Sequence, residues 1–179
     1  MQVVDGWLST AEKVVSPHFN ERPDGCSIRL LVIHNISLPP YQFDVDWVEP
    51  FFVGQLDTRA HPYFYQLEGL RVSSHLYIKR NGKIIQFVPF EKRAWHAGQS
   101  EFMGDADCND FSIGIEMAGA DSLPYTKLQY EALIDVTRVL QKNYPLIKKE
   151  HIVGHCDIAP QRKTDPGISF NWSRYLDAL

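Results

Sequence analysis

Residues 27–35 read Ser27-Ile28-Arg29-Leu30-Leu31-Val32-Ile33-His34-Asn35, an apolar, branched run of strand length that ends on an imidazole and an amide. A sheet covered on both faces asks its central strands for near-continuous hydrophobicity, so Ser27 to Ile33 is expected as a buried central strand of an α/β protein. His34-Asn35 would then stand at the strand's carboxyl end, where open α/β sheets gather their binding sites. Taken alone, His34 is as well explained by a core imidazole bonded to a backbone carbonyl.

Working outward, Ser74 to Lys79 and Lys83 to Val88 alternate as strands do, and Asn81-Gly82 between them signals a two-residue hairpin. Phe111 to Met117 reads as another strand. Thr126 is placed to cap a helix with Gln129 three residues on, and Leu133, Val136 and Leu140 recur at helical spacing until Tyr144-Pro145 stops them. Phe170 to Leu179 reads as a short closing helix. Pro39 to Leu70 is irregular and rich in aromatics, either a packed insertion or a loop that covers substrate. The expected architecture is a central mixed β-sheet flanked by helices.

The second informative stretch is Gly154-His155-Cys156-Asp157-Ile158-Ala159-Pro160-Gln161-Arg162-Lys163-Thr164-Asp165-Pro166-Gly167. Its prolines and glycines forbid a continuous helix, and Asp165, preceding Pro166, is biased toward extended backbone. Residues i and i+2 of an extended chain share a face, which sets the Lys163 ammonium beside the Asp165 carboxylate. Imidazole plus carboxylate is a zinc ligand set, and with His155 and Asp165 here, His34 is the candidate third ligand.

Seven histidines compete for such a metal. His151 and His155 are four apart, but Ile152-Val153-Gly154 favours a strand, and four strand residues span roughly 13 Å, too far for two donors that must each lie about 2 Å from one ion. Cys156 would point away from His155 if the segment is extended, and reads as a small buried hydrophobe. His18 and His61 have no supporting context.

With 179 residues, 44% of them hydrophobic, the chain suits a single domain over 1–179. Met1 to Trp7 lacks the basic start and apolar core of a signal peptide, and three cysteines without paired spacing, Cys26, Cys108 and Cys156, suit reduced thiols. A cytoplasmic protein that does not span a membrane is therefore expected. A net charge of −4 gives no basic footprint for nucleic acid.

Four blocks, taken in order, carry a resemblance: Val32 to Pro40, Arg93-Ala94-Trp95-His96-Ala97-Gly98, Cys108 to Glu116, and Gly154 to Gly167. Through them the chain resembles, nearly end to end, the zinc amidase and peptidoglycan-recognition-protein superfamily, and within it the cytoplasmic 1,6-anhydro-N-acetylmuramyl-L-alanine amidases of peptidoglycan recycling. The resemblance implies one Zn²⁺ per chain on His34, His155 and Asp165, with Glu116 and Lys163 as the catalytic pair. It places Asn35, Tyr63, Arg71 and Trp95 along a muropeptide cleft, with His75 and His96 near it. Members often carry arginine directly before the C-N-D-F block where this chain has Asp107, so more of the anchoring of an anionic stem peptide would fall on Arg71.

The implied chemistry is coherent. A zinc with three protein ligands keeps a position for water and brings its pKa to about 7, Glu116 would move the protons, and Lys163 would steady the oxyanion. Trp95 and Tyr63 suit stacking on sugar rings and Arg71 suits a carboxylate. The expected partner is a small muropeptide, bound by a monomer. Alternatives are a periplasmic or autolytic N-acetylmuramoyl-L-alanine amidase that cuts intact murein and a noncatalytic peptidoglycan-binding module. A cysteine hydrolase built on Cys156 lacks a base to activate it.

Overall fold

The computed structural model describes residues 1–179. Six strands make the main sheet: β1 (Glu12–Lys13), β2 (Leu30–Ile36), β3 (Leu76–Ile78), β4 (Ile84–Gln86), β5 (Ser112–Ala118) and β6 (Ile152–Gly154). Their spatial order is β6-β2-β5-β3-β4-β1, parallel throughout except for the β3–β4 hairpin. This is the expected α/β class with a mixed sheet. The central strand starts three residues later than its composition suggested. It also runs on to Ile36, so His34 and Asn35 lie inside β2, not beyond it.

The hairpin also differs in detail. Lys79 N–H bonds to Lys83 O, Gly82 N–H turns back to Lys79 O, and Gly82 has φ +81°. The loop is thus three residues, Arg80-Asn81-Gly82, with the glycine in the left-handed region that closes this kind of turn. Asn-Gly is read as a two-residue loop only when both positions adopt positive φ, and here Gly82 alone does so.

Helix α1 (Val48–Phe52) lies in the irregular insertion, α2 (Lys127–Asn143) follows β5, α3 (His155–Ile158) follows β6, and α4 (Trp172–Leu176) closes the chain. The Thr126 hydroxyl accepts from Gln129 N–H and the Gln129 carboxamide oxygen accepts from Thr126 N–H, each at 3.1 Å, so the capping box forms as its residues suggest. Tyr130, Leu133, Val136 and Leu140 turn one stripe of α2 onto the sheet, where they meet Leu31, Ile33, Leu76, Ile78, Ile113 and Ile115 together with Phe170 and Tyr175 of the C-terminal segment. Each such side chain contributes roughly 1.5–3 kcal/mol by leaving water.

Strand period two decides what is left for the opposite face. In β2 and β5 the odd apolar residues Leu31, Ile33, Ile113, Ile115 and Met117 go to α2, so His34 and Glu116 share the other side, and the parallel register sets them directly opposite each other. That second face is covered in two patches. Leu30, Val32, Ala97, Cys108, Phe111 and Ile158 pack at one end. At the other, Leu38 and, from the insertion, Val48, Phe51, Phe52 and Phe64 pack on Tyr77, Ile85 and Phe87. The insertion is thereby a packed structure, and the strip between the two apolar patches holds the buried His34 and Glu116.

Ile115 is fully buried under α2. Ile115→Ala is expected to lower unfolding free energy by about 2–5 kcal/mol in urea titrations, and Leu128→Ala on the exposed side of α2 by less than about 0.5 kcal/mol.

Candidate functional site

His34 reaches the strip from β2, and β6 delivers His155 as the first residue of α3. Sequence reasoning took this segment to lack regular structure, but α3 is one helical turn in which Asp157 accepts from Gly154 N–H at 2.7 Å. Cys156 therefore lies in a helical turn beside His155 and not in the extended backbone that would have turned it to the opposite face. Cys156 is half-buried, and its thiol is pushed up to about 11 by burial and by the charges of Asp157 and Asp165.

Asp165 is fixed through its backbone. Its carbonyl accepts from Cys156 N–H at 2.9 Å, and the Tyr125 hydroxyl donates to Pro166 O at 2.7 Å. Gly167, at φ +81°, lies so near residue 121 that a Cβ would meet Asp121 Cα at 2.1 Å. Only glycine lets the two segments approach this closely.

His34 Nδ1, His155 Nδ1 and Asp165 Oδ2 form a triangle with edges of 2.9, 3.0 and 3.1 Å. His155 Nε2 lies 3.0 Å from Ala97 O, so that nitrogen carries the proton and Nδ1 turns a lone pair inward. Burial holds His34 neutral, with its pKa lowered to about 4 against the opposing influence of Asp165. Burial alone would raise the Asp165 carboxyl, but the two imidazole rings beside it outweigh this and hold it well below the usual carboxylate range. Buried donors of this kind around one point fit a cation, and corners so spaced can all lie about 2 Å from a single zinc.

Glu116 stands on the same face, 8% exposed, and its Oε2 is the one buried side-chain nitrogen or oxygen without a hydrogen-bond partner. Burial pushes its carboxyl well above the usual range, the Asp165 charge adds to this, and Lys163 opposes it. Lys163 makes no ion pair with Asp165, contrary to the extended-chain expectation, because its N–H folds back on Ala159 O and the segment turns. It still lines the same cleft, where its charge bears on both His34 and Glu116.

The cleft measures about 470 Å³ and is walled by Tyr63, Leu67, Phe51 and Phe52 of the insertion on one side and Trp95 and His96 on another. Asn35 lines it and donates to Asp121 at 2.9 Å. Trp95 is held by a bond from its indole N–H to Asn20 at 2.7 Å. Two residues expected near substrate are elsewhere. His75 is fully buried, accepting from Gly114 N–H on Nδ1 and facing Lys92 O with Nε2, and both ring nitrogens are thereby used by backbone. Arg71 lines a neighbouring recess that shares Phe51, Leu67 and Leu70 with the cleft. Asp107 is exposed and outside the cleft, at φ 57° before a short 3-10 turn.

Sequence reasoning assigned no role to Asp121, Asn109 or Gly114. The Asn109 amide oxygen accepts from His96 N–H at 3.0 Å and Ala97 N–H at 2.8 Å, and a Cβ on Gly114 would meet the His96 ring at 2.5 Å. A glycine inside a buried strand was the available signal, since it marks a close approach.

Comparison with known proteins gives consistent matches. Residues 24–168 match the family described as N-acetylmuramoyl-L-alanine amidase (Amidase_2). The chain is 54% identical over 175 residues to the 1,6-anhydro-N-acetylmuramyl-L-alanine amidase AmpD of Escherichia coli K12, covering 98% of this chain and 95% of that one. It superposes on the crystal structure of a selenomethionine AmpD derivative with TM-score 0.97 at 52% identity, covering 100% and 99% of the two chains. It also resembles E. coli AmiD in complex with anhydro-N-acetylmuramic acid-L-Ala-D-gamma-Glu-L-Lys, with TM-score 0.63 at 29% identity, covering 90% of this chain and 65% of AmiD.

The unpartnered carboxyl has a measurable consequence. Glu116 binds its proton more tightly folded than unfolded, so it withdraws stability as pH rises above its ordinary value of 4.5. In metal-free protein, Glu116→Gln is expected to gain about 1–3 kcal/mol at pH 8 by urea unfolding under chelator, with the gain disappearing at low pH.

Proposed function

The chain belongs to the N-acetylmuramoyl-L-alanine amidase family, and on that premise we propose that it is a zinc-dependent amidase that cleaves the bond between the lactyl group of 1,6-anhydro-N-acetylmuramic acid and L-alanine in muropeptides. The observation that carries this reading is the convergence of His34, His155 and Asp165 beside Glu116 at the floor of the cleft. These three residues would hold the zinc, which when bound supplies a Lewis acid and an acidified water. The muropeptide bound to AmiD and the anhydro-sugar amidase activity named for AmpD support the substrate class.

The chain's own residues have separable duties. Glu116, whose proton affinity burial raises, suits proton transfer to the leaving amine. Lys163 brings positive charge to the oxygen on which negative charge develops. Trp95 and Tyr63 offer flat walls to the sugar. Asn35, fixed by Asp121, presents a polar group to the peptide, and Arg71 in the adjoining recess meets a carboxylate further along the stem.

The reading extends to residues 1–179 as one amidase domain, acting as a monomer in peptidoglycan recycling. Three free thiols, Cys26, Cys108 and Cys156, suit a cytoplasmic setting. No helix is long and apolar enough to cross a membrane.

Incubation with soluble anhydromuropeptide and with intact sacculi, analysed by mass spectrometry, is expected to release peptide from the soluble substrate only, and chelation should abolish the release. Peptide freed from sacculi at a similar rate would point instead to a murein autolysin, and no release from either to a binding module. Lys163→Ala is expected to keep its zinc and lose about 10²–10³ in kcat; near-native turnover with zinc bound would remove the oxyanion role.

A further inference from the structure

His96 differs from the other histidines in how many features of the fold converge on it. Its Nδ1 lies 2.9 Å from His34 Nε2, its Nε2 lies 3.1 Å from the Ser112 hydroxyl, and its backbone N–H is held by Asn109. The ring occupies the space above Gly114 that any side chain there would fill. The Asn109 amide oxygen that holds His96 N–H also holds Ala97 N–H, and Ala97 O is the acceptor for His155 Nε2. One buried amide thus fixes the outer partners of both candidate zinc histidines.

We propose that His96 is a positioning residue for the metal site, working through His34 and not through substrate. His96 Nδ1 accepts the proton on His34 Nε2, while the Ser112 hydroxyl oxygen accepts from His96 Nε2. In that arrangement His34 Nδ1 presents a lone pair toward His155 and Asp165, as a metal ligand must. Ala97 O performs the same duty for His155. The inference rests on the zinc reading above and gives His96, which walls the cleft, a duty toward the metal site in place of one toward substrate.

The chain of contacts explains why three sequence positions are what they are. Ser112 precedes Gly114 by two on β5, so both face the His96 side of the sheet. Glycine makes room for the imidazole, serine offers it an oxygen, and Asn109 sets the height of the segment that carries it.

The test is zinc affinity, measured by chelator competition on the full chain, together with the visible spectrum of the cobalt-loaded protein. His96→Phe fills the ring's space without an acceptor and is expected to weaken zinc binding 10–100-fold and to alter the cobalt spectrum. His96→Asn, whose amide oxygen replaces Nδ1, should recover most of the affinity. Gly114→Ala, which displaces the ring while leaving His96 in the sequence, should fall between them. Phe and Asn variants that both bind zinc within twofold of native, with only KM raised, would overturn the proposal and return His96 to substrate binding. Equal weakening by Phe and Asn would also overturn it, by reducing the role to packing. A native protein that takes up no stoichiometric zinc would remove the metal reading itself, an outcome distinct from either of these.

Discussion

Two buried imidazole nitrogens and a partly buried carboxylate oxygen about 3 Å apart repel one another unless positive charge comes between them. Much of the surrounding architecture serves to keep them there. His155 is held from behind by Ala97 O, Asp165 by the ties of its loop to Cys156, Tyr125 and Asp121, and His34 by lying inside a strand bonded on both sides. On the zinc reading, such an arrangement gives up stability in the metal-free protein so that the ligands would need little rearrangement on binding the ion.

Glu116 follows the same logic by other means. Its neighbours leave one carboxylate oxygen without a hydrogen bond, which a protein selected for stability alone would not retain. Desolvation and the nearby Asp165 raise its proton affinity, and Lys163 limits the rise. Two carboxylates on one cleft floor are thereby driven apart, Asp165 toward the ionised form and Glu116 toward the protonated one, a separation that lets neighbouring acids do different work.

What could be read from the residues follows the range of the forces involved. The α2 helix was legible from Thr126 to Tyr144 because its cap and apolar stripe are local, and the buried strands were legible because hydrophobic runs survive any tertiary context. The convergent His34, His155 and Asp165 cluster was legible in residue type, from an imidazole and a carboxylate crowded into Gly154 to Gly167. Three things were not. His34 lies within its strand because pairing with β5 prolongs β2 beyond the apolar run to Ile36. His75 was misplaced because its chemistry is that of a site histidine, and only the backbone groups packed around it show that both nitrogens are already used. Arg71 was expected in the cleft, but its place depends on how the insertion packs, which the irregular pattern between Pro39 and Leu70 does not encode locally.

The alternation along β2 and β5 makes the sheet its own proofreader. Were either strand to slip by one residue against the other layers, Ile33 and Ile115 would face the wet cleft while His34 and Glu116 entered the oily side beneath α2. Misalignment would therefore be punished twice, in cohesion and in catalysis. Length changes in evolution should accordingly gather in the connections, such as the 39–70 insertion, and spare the seven-residue strands that carry the chemistry.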